Sequence, residues 1–229
     1  MHVPTLRERS AASHTITGMS RRRLLPLPDY ERIYQVIYSV LEASGIARSH
    51  RACLFFAATG AALLRKHYDL PATFTAGTFA MMVDEKVGNV AVYGRLEAGA
   101  WVHDDCGFHA WIECDGWLVD FMAPIMGVAF KEDGVSFDIP RKMLQKRLAE
   151  CKCDPGEIQH LGEFYCRGDP VLTGSLMDNQ PAAFTDLLGI CEAWFRKPPR
   201  ALPPMMLGDS AARAPKPLVL HAPSIVGAW

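Results

Sequence analysis

The sequence lacks a charge imbalance, a long apolar run and a secretory signal. Its formal net charge is −1, and a nearly neutral chain gives no electrostatic reason to expect nucleic acid as its main partner. No apolar segment approaches the roughly 18 residues of a membrane span. Pro26 and Pro28 interrupt the stretch after the basic residues 21–23 before an apolar signal region can form. These absences predict a cytoplasmic protein that binds neither nucleic acid nor a membrane.

The common signatures of disulfide frameworks and cofactor sites are missing as well. The seven cysteines are an odd number and favour reduced thiols. No glycine-rich phosphate loop, G-x-S-x-G elbow or H-E-x-x-H motif occurs. Two groups of residues could be read as zinc ligands: Cys106, His109 and Cys114, or Cys151, Cys153, His160 and Cys166. The first is disfavoured because Cys114 and His109 fall on opposite faces of a predicted strand, and the second lacks C-x-x-C spacing. We therefore predict no cofactor and no bound metal.

Length and composition predict one folded domain with extensions at both ends. The chain has 229 residues, of which 49% are hydrophobic and 21% charged, values typical of a globular protein rather than a disordered one. Residues 1–28, with arginines at positions 7, 9, 21, 22 and 23, are predicted to be a flexible basic arm. Prolines interrupt residues 197–229, which are predicted to be an extended or disordered tail whose apolar residues could dock on the domain. The domain itself is expected to span residues 29–196.

The apolar periodicity predicts helices first and an antiparallel sheet afterwards. One helix is predicted from Asp29, as its cap, to Gly45, and a second, buried helix follows Ser49 as its N-cap. After Pro71, the segments with the pattern of strands are ATFTAGTFAMMV, NVAVYGRL, FHAWIEC, GWLVDFM and GEFYCRG. The segments PRKMLQKRLAEC and QPAAFTDLLGICEAWFRK are predicted to be helices. This order of elements is typical of an α+β fold.

The segment FHAWIECDGWLVDFMAP, residues 108–124, contains two polar residues within otherwise apolar strands. Its Asp-Gly dipeptide is a strong signal for a two-residue hairpin turn. In the register which that turn sets, Asp120 lies across from Trp111 and diagonal to His109, on the same face of the sheet. An aspartate that accepts a hydrogen bond from one imidazole nitrogen fixes the tautomer and raises the basicity of the other nitrogen. The alternative is a satisfied polar pair on an exposed sheet face.

Cys53 is the best candidate for a group that this pair could activate. With Ser49 as N-cap, Cys53 falls in the first turn of a buried helix, where unpaired N–H groups and the helix dipole stabilise a thiolate. A cysteine deprotonated by a neighbouring histidine is a strong nucleophile near neutral pH. Taken alone, Cys53 also fits a small buried apolar residue, which is what most cysteines are. His50, one turn earlier, could modulate the thiol or lie at the surface.

The order of these residues resembles the transglutaminase-like branch of the papain-like cysteine enzymes. The segment HRACLFFAATGAALLRKHYDLPATF is similar to that superfamily's cysteine-bearing helix and the strand after it. The segment HAWIECDGWLVDFMAP is similar to its HAW-E-x-x-G-W-x-x-x-D hairpin. The resemblance implies a papain-like α+β core in which the nucleophile helix packs on an antiparallel sheet. It also implies Cys53 as nucleophile, His109 as general base and acid, and Asp120 as the residue that orients the histidine.

The function implied is that of a cysteine peptidase or amidase, which cleaves a peptide, isopeptide or related amide bond through an acyl-enzyme on Cys53. Trp111 shares the predicted face of His109 and is assigned to substrate binding, with packing as the alternative. The expected partner is a peptide or a small amide or acyl substrate. Two other functions stay open: acyl transfer by the same triad, as in transglutaminases or arylamine N-acetyltransferases, and a non-catalytic binding protein on the same fold.

Overall fold

A computed structural model describes residues 23–208 and 214–229, so the first 22 residues of the predicted basic arm lie outside the described residues. The helices are α1 (Leu27–Ser44), α2 (Cys53–Tyr68), α3 (Met126–Glu132), α4 (Pro170–Asp178) and α5 (Ala182–Trp194). The strands are β1 (Thr73–Asp84), β2 (Asn89–Tyr93), β3 (Arg95–Glu97), β4 (Ala100–Val102), β5 (His109–Cys114), β6 (Trp117–Asp120), β7 (Leu144–Arg147), β8 (Phe164–Gly168), β9 (Met206–Leu207) and β10 (Lys216–Pro217).

Six of these strands form one antiparallel sheet with β1 as its central member. β1 pairs with β2, β5 and β8, and the sheet continues from β5 through β6 to β7. The remaining strands form two separate pairs, β3 with β4 and β9 with β10. Helices packed on an antiparallel sheet of more than four strands confirm the predicted α+β class.

The helix α2 is central to the largest apolar cluster because it is buried on nearly every side. Every residue from Cys53 to Leu64 is buried, and the helix packs on β5, α1 and α5. A Cβ atom at position 60 would lie 2.5 Å from the ring of Phe121. Gly60 therefore lets the β5–β6 hairpin pack directly on α2, which brings the start of the helix close to the hairpin.

The start of α1 differs from the prediction. The helix begins at Leu27 rather than after Asp29, since Pro28 fits the first helical turn, where its missing N–H has no intrahelical partner to lose. Asp29 lies inside that turn, and its carboxylate accepts a hydrogen bond from the Tyr68 hydroxyl at 2.8 Å. Gly45 ends the helix in the left-handed conformation, with φ 63°, as predicted.

The predicted helix at residues 140–151 is wrong. Its middle part forms β7, which pairs with β6 from Asp120 opposite Leu144 to Trp117 opposite Arg147. The local periodicity is helical, but pairing with the edge of β6 outweighs a weak local propensity. Two further helices, α3 and α4, are short and were not predicted.

The end of the predicted arm packs on β7. The side-chain amide of Gln145 accepts a hydrogen bond from the Leu25 N–H at 2.9 Å and donates one to the Leu25 carbonyl at 3.0 Å. Leu25 itself is buried in the main apolar cluster. Residues 23–28 are therefore tied to the sheet.

The proline-rich tail docks on the domain through its apolar and backbone groups. The Tyr34 hydroxyl donates to the Pro223 carbonyl at 3.2 Å, and Ser39 bonds to both backbone groups of His221, at 2.8 and 2.9 Å. Ala228 forms a β-bridge with Met143, next to β7. Within the described ranges, no helix of this fold is long and apolar enough to cross a membrane.

Candidate active site

The β5–β6 hairpin has the register that its Asp-Gly turn predicts. Ile112 lies opposite Val119, and Cys114 lies opposite Trp117. The next pair on the other face places Asp120 diagonal to His109, and the two side chains meet: His109 Nε2 lies 2.9 Å from Asp120 Oδ2. The predicted face and contact of these two residues are therefore both present in the structure.

Asp120 is held from three directions. Its carboxylate is 2% exposed, and the oxygen that does not face His109 accepts a hydrogen bond from the Met122 N–H at 2.8 Å. Its backbone carbonyl accepts a short hydrogen bond from the Tyr30 hydroxyl of α1, and the same hydroxyl accepts from the Leu144 N–H of β7 at 3.3 Å. The aspartate is thus fixed by the sheet and by α1, which in turn fixes the imidazole.

Cys53 is the first residue of α2, because the helix begins about one turn later in the chain than the sequence predicted. Ser49 does not cap α2; it opens a 3₁₀ turn, Ser49–Arg51, whose last bond runs from the Ala52 N–H to the Ser49 carbonyl at 3.3 Å. The helix then begins with no side-chain cap. The first N–H groups of a helix have no intrahelical acceptor, and here no side chain accepts from them. The start of α2, where Cys53 lies, therefore keeps these donors and the positive end of the helix dipole.

Cys53 and the imidazole of His109 are close together and shielded from water. Cys53 is 7% exposed and His109 is fully buried. Among the described residues, His109 Nδ1 has no hydrogen bond of full geometry, although the Cys53 thiol is near enough to act on the ring. Loose contacts between a nucleophile and its base are common in proteins without bound substrate.

Opposing influences set the pKa of the His109 imidazole. Burial lowers it, the charge and hydrogen bond of Asp120 raise it, and the Cys53 thiol raises it further. The partners outweigh burial, and the pKa is raised from 6.5 to about 10. The imidazole therefore holds a second proton readily at neutral pH, and a positive charge beside a thiol favours the thiolate.

The position of His109 depends on how β2 and β5 share one edge of β1. Gly77 pairs with His109 and Phe79 pairs with Tyr93, while both β1 residues also pair with β8 on their other side. β2 and β5 therefore lie end to end, and the chain between them leaves the sheet to form the β3–β4 hairpin. Tyr93 and His109 become neighbours, and their rings stack with centroids 4.4 Å apart.

Tyr93 is a site residue that the sequence pattern did not single out. Its hydroxyl is buried and has no hydrogen-bond partner among residues 23–208 and 214–229. Burial raises the pKa of Tyr93 well above its usual range, and the charges of Asp120 and Cys53 raise it further. The hydroxyl is therefore a protonated donor beside the imidazole. Only the pairing of two distant strands with β1 places it there, so local sequence could not reveal it.

Trp111 lies on the face of His109, as predicted, but it packs into a second apolar cluster with Phe79 and Leu118. Its side chain is fully buried, and its indole N–H donates to a Glu113 carboxylate oxygen at 3.1 Å. Trp111 is also not among the residues that line the cavity next to Cys53. These contacts favour the packing alternative over the predicted assignment to substrate binding.

His50 lies near the Cys53 helix but is occupied elsewhere. Its Nε2 atom is 2.9 Å from a carboxylate oxygen of Glu132 in α3. Arg48 and Arg51 also approach that carboxylate, at 2.9 and 3.7 Å. His50 therefore helps to join the 3₁₀ turn before α2 to α3.

The structure brings neither of the two possible zinc sets together. In the part of the chain that the structure describes, three potential ligands converge at Asp104, Asp105 and Cys106, on an exposed loop. Of the second set, only Cys151 and Cys166 are close, with their sulfur atoms 3.6 Å apart.

The protein has an α+β fold. A buried cysteine at a helix N-terminus lies beside a His–Asp pair on the antiparallel sheet and is a candidate nucleophile. The chain belongs to the family described as "Protein of unknown function (DUF2026)", which matches residues 26–229. A solved structure described as "The crystal structure of genomics APC5867" is similar, with a TM-score of 0.76 and 29% sequence identity. That similarity covers 93% of this chain and 100% of the other. A search of curated proteins finds no match.

Proposed function

We propose that this protein is a papain-like cysteine hydrolase of the transglutaminase-like branch, which cleaves an amide bond through an acyl-enzyme on Cys53. The observation that carries the proposal is the arrangement of His109, which binds Asp120 through Nε2 at 2.9 Å and turns its other nitrogen away from that partner, beside the Cys53 thiol. This arrangement has the three parts that nucleophilic catalysis requires: a nucleophile, a base and a group that orients the base.

The first half of the reaction forms a thioester. His109 takes the proton of the Cys53 thiol, and the thiolate sulfur attacks the carbonyl carbon of the substrate. The negative oxygen of the tetrahedral intermediate is stabilised by the uncapped N–H groups at the start of α2. The intermediate collapses, the carbon–nitrogen bond breaks, and the leaving amine receives its proton from His109.

The second half releases the acyl group. His109 takes a proton from water, whose oxygen attacks the thioester carbon, and the carbon–sulfur bond then breaks. The carboxylic acid leaves and Cys53 recovers its proton from His109. Asp120 holds the imidazole in one orientation throughout and stabilises its charged form. Acyl transfer would use the same thioester with an amine in place of water, and hydrolysis is preferred because it needs no second binding site.

Trapping of the acyl-enzyme tests this proposal. We expect p-nitrophenyl acetate to acetylate Cys53 faster than any other cysteine of the chain, as mapped by peptide mass spectrometry, because the other thiols lack a His–Asp pair. Cys53→Ala should remove the fast adduct, whereas Cys106→Ala, at an exposed thiol, should leave it unchanged. An adduct spread evenly over the exposed cysteines would contradict the proposal. If added methylamine accelerates loss of the adduct and yields N-methylacetamide, the protein is an acyl transferase instead.

A further inference from the structure

A cavity of about 220 Å³ opens beside Cys53, between the start of α2 and the start of α5. Cys53 forms part of its wall, so a group bound covalently to the sulfur would be next to this space. The volume is below the roughly 300–1,000 Å³ of sites that take a whole ligand. It therefore suits one side chain or one short acyl chain of a larger substrate.

The lining of the cavity is predominantly apolar. The apolar side chains that form its walls come from several places in the fold: Leu41 in α1, Ile46 before α2, Phe55 within α2, Phe108 before β5, and Phe184 and Leu187 on α5. Phe55 and Phe184 meet edge to face, with centroids 5.2 Å apart. An edge-to-face pair of buried aromatic rings is a stable arrangement, so this wall is formed before a substrate arrives.

The cavity offers no free charge to a substrate. Arg51 is the charged residue among the described residues that line it, and its guanidinium forms ion pairs with Asp133 and Glu132 of the α3 end. An apolar site without an unpaired partner disfavours the transfer of a carboxylate or an ammonium group from water. The lining therefore selects against charged substrate groups.

We infer that this cavity binds an apolar acyl group, of the size of a leucine side chain or a short aliphatic chain, on the carbonyl side of the bond that Cys53 attacks. The inference rests on the proposed function, since it takes Cys53 as the nucleophile. The acyl side is assigned because the acyl group stays bonded to the Cys53 sulfur while the amine leaves, and the cavity wall includes that residue. Apolar contact there holds the thioester in place until water attacks.

Chloromethyl ketones test the inference, because the Cys53 sulfur displaces chloride from their methylene carbon and forms a stable thioether. The probes are the chloromethyl ketones of N-acetyl-leucine, N-acetyl-glycine and N-acetyl-glutamate, together with 1-chloroheptan-2-one. Each rate is divided by the rate of the same probe with free N-acetylcysteine. We expect the leucine or heptanone probe to react with Cys53 at least about tenfold faster than the glycine and glutamate probes, as apolar pockets discriminate by this amount. The faster of the two apolar probes distinguishes an amino-acid side chain from a linear chain.

Ile46→Asp tests the contribution of the cavity lining separately from that of the Cys53 thiol. Ile46 is 57% exposed, so the fold should tolerate the change, while the new carboxylate should reduce the preference for apolar probes to about threefold or less. Val87→Asp is the matched control, since Val87 is 73% exposed and does not line the cavity. Its probe preference should equal that of the wild type.

Alkylation by iodoacetamide distinguishes failure of the apolar cavity from failure of Cys53 as the nucleophile. Fast alkylation of Cys53 by iodoacetamide, with equal rates for all four ketones, would overturn the apolar cavity and leave the nucleophile intact. Slow alkylation by iodoacetamide and by every ketone would overturn the proposed function itself. In Ile46→Asp, an iodoacetamide rate equal to the wild-type rate shows that the change acts on the cavity and not on the thiol.

Discussion

Replacing Asp120 with alanine is expected to lower the free energy of unfolding by about 3–5 kcal/mol, the cost of breaking a buried ion pair by removal of one partner. The reason lies in what the carboxylate holds. It binds His109 Nε2 at 2.9 Å and the Met122 N–H at 2.8 Å, and all three groups are shielded from water. The variant would leave an imidazole and an amide without partners inside the protein. Urea unfolding at pH 7, followed by tryptophan fluorescence, measures the loss.

Two further variants interpret the Asp120 result. Asp120→Asn keeps an oxygen that can accept from His109 Nε2, so its loss should be smaller than that of Asp120→Ala. Asp178→Ala removes an exposed carboxylate at the end of α4 and should change stability by no more than about 0.5 kcal/mol. If the free energy of unfolding of Asp120→Ala lies within about 1 kcal/mol of the wild-type value, the buried His109–Asp120 pair does not contribute the expected stability.

The second large effect is a loss of stability with rising pH in the Cys53→Ala variant. Burial lowers the pKa of His109, while Asp120 and, to a smaller extent, Cys53 raise it, and the raising effects prevail. The Cys53→Ala variant keeps the Asp120 contribution, so its folded form should bind a proton that the unfolded chain has released. A group with a raised folded pKa contributes its full stability below pH 6.5, and that stability is lost as pH rises toward the folded pKa. Between pH 6.5 and pH 8.5 we expect the free energy of unfolding to fall by up to about 2 kcal/mol.

The alanine at position 53 is needed because the thiol and the imidazole share a proton. Transfer of that proton within the pair leaves the number of bound protons unchanged, so the wild type should show a smaller fall over the same range. Burial raises the pKa of Cys114 to about 11, so this thiol begins to lower stability near its unfolded pKa of about 8.5, at the upper end of the window. Cys53→Ala/His109→Gln keeps the other titrating thiols, including Cys151, whose pKa is lowered to about 7 by its hydrogen bond with Cys166. The difference between the two variants therefore measures the contribution of His109. An equal fall in that double variant would assign the effect to other groups.

The β5–β6 hairpin was predictable because a two-residue turn fixes the pairing of every residue that follows it. Once the Asp-Gly turn is recognised, alternation of side chains puts His109 and Asp120 on one face without reference to the rest of the fold. The buried helix that carries Cys53 was predictable for a similar reason, since its residues are apolar on all sides. Both features are determined within short segments of the chain.

The features that could not be predicted from the sequence depend on contacts between distant segments. Tyr93 meets His109 only because β2 and β5 share one edge of β1, and β7 replaces a predicted helix only because the edge of β6 was available to pair. The 3₁₀ turn at Ser49 moved the start of α2 to Cys53, a shift of the kind that local capping signals do not resolve. The apolar cavity likewise combines residues from α1, α2, α5 and the loops between these elements.

The most direct test of a Cys53–His109 nucleophile is the rate of iodoacetamide alkylation of Cys53 between pH 5 and pH 9, resolved by peptide mass spectrometry. Cys106 is an internal reference in the same chain: it is exposed, and a hydrogen bond with Asp105 raises its pKa. An activated Cys53 should react at pH 6 at close to its rate at pH 8, and His109→Ala should slow the pH 6 reaction by about 10²-fold or more. Slow alkylation of Cys53 in both proteins, rising with pH in parallel with Cys106, would contradict the account.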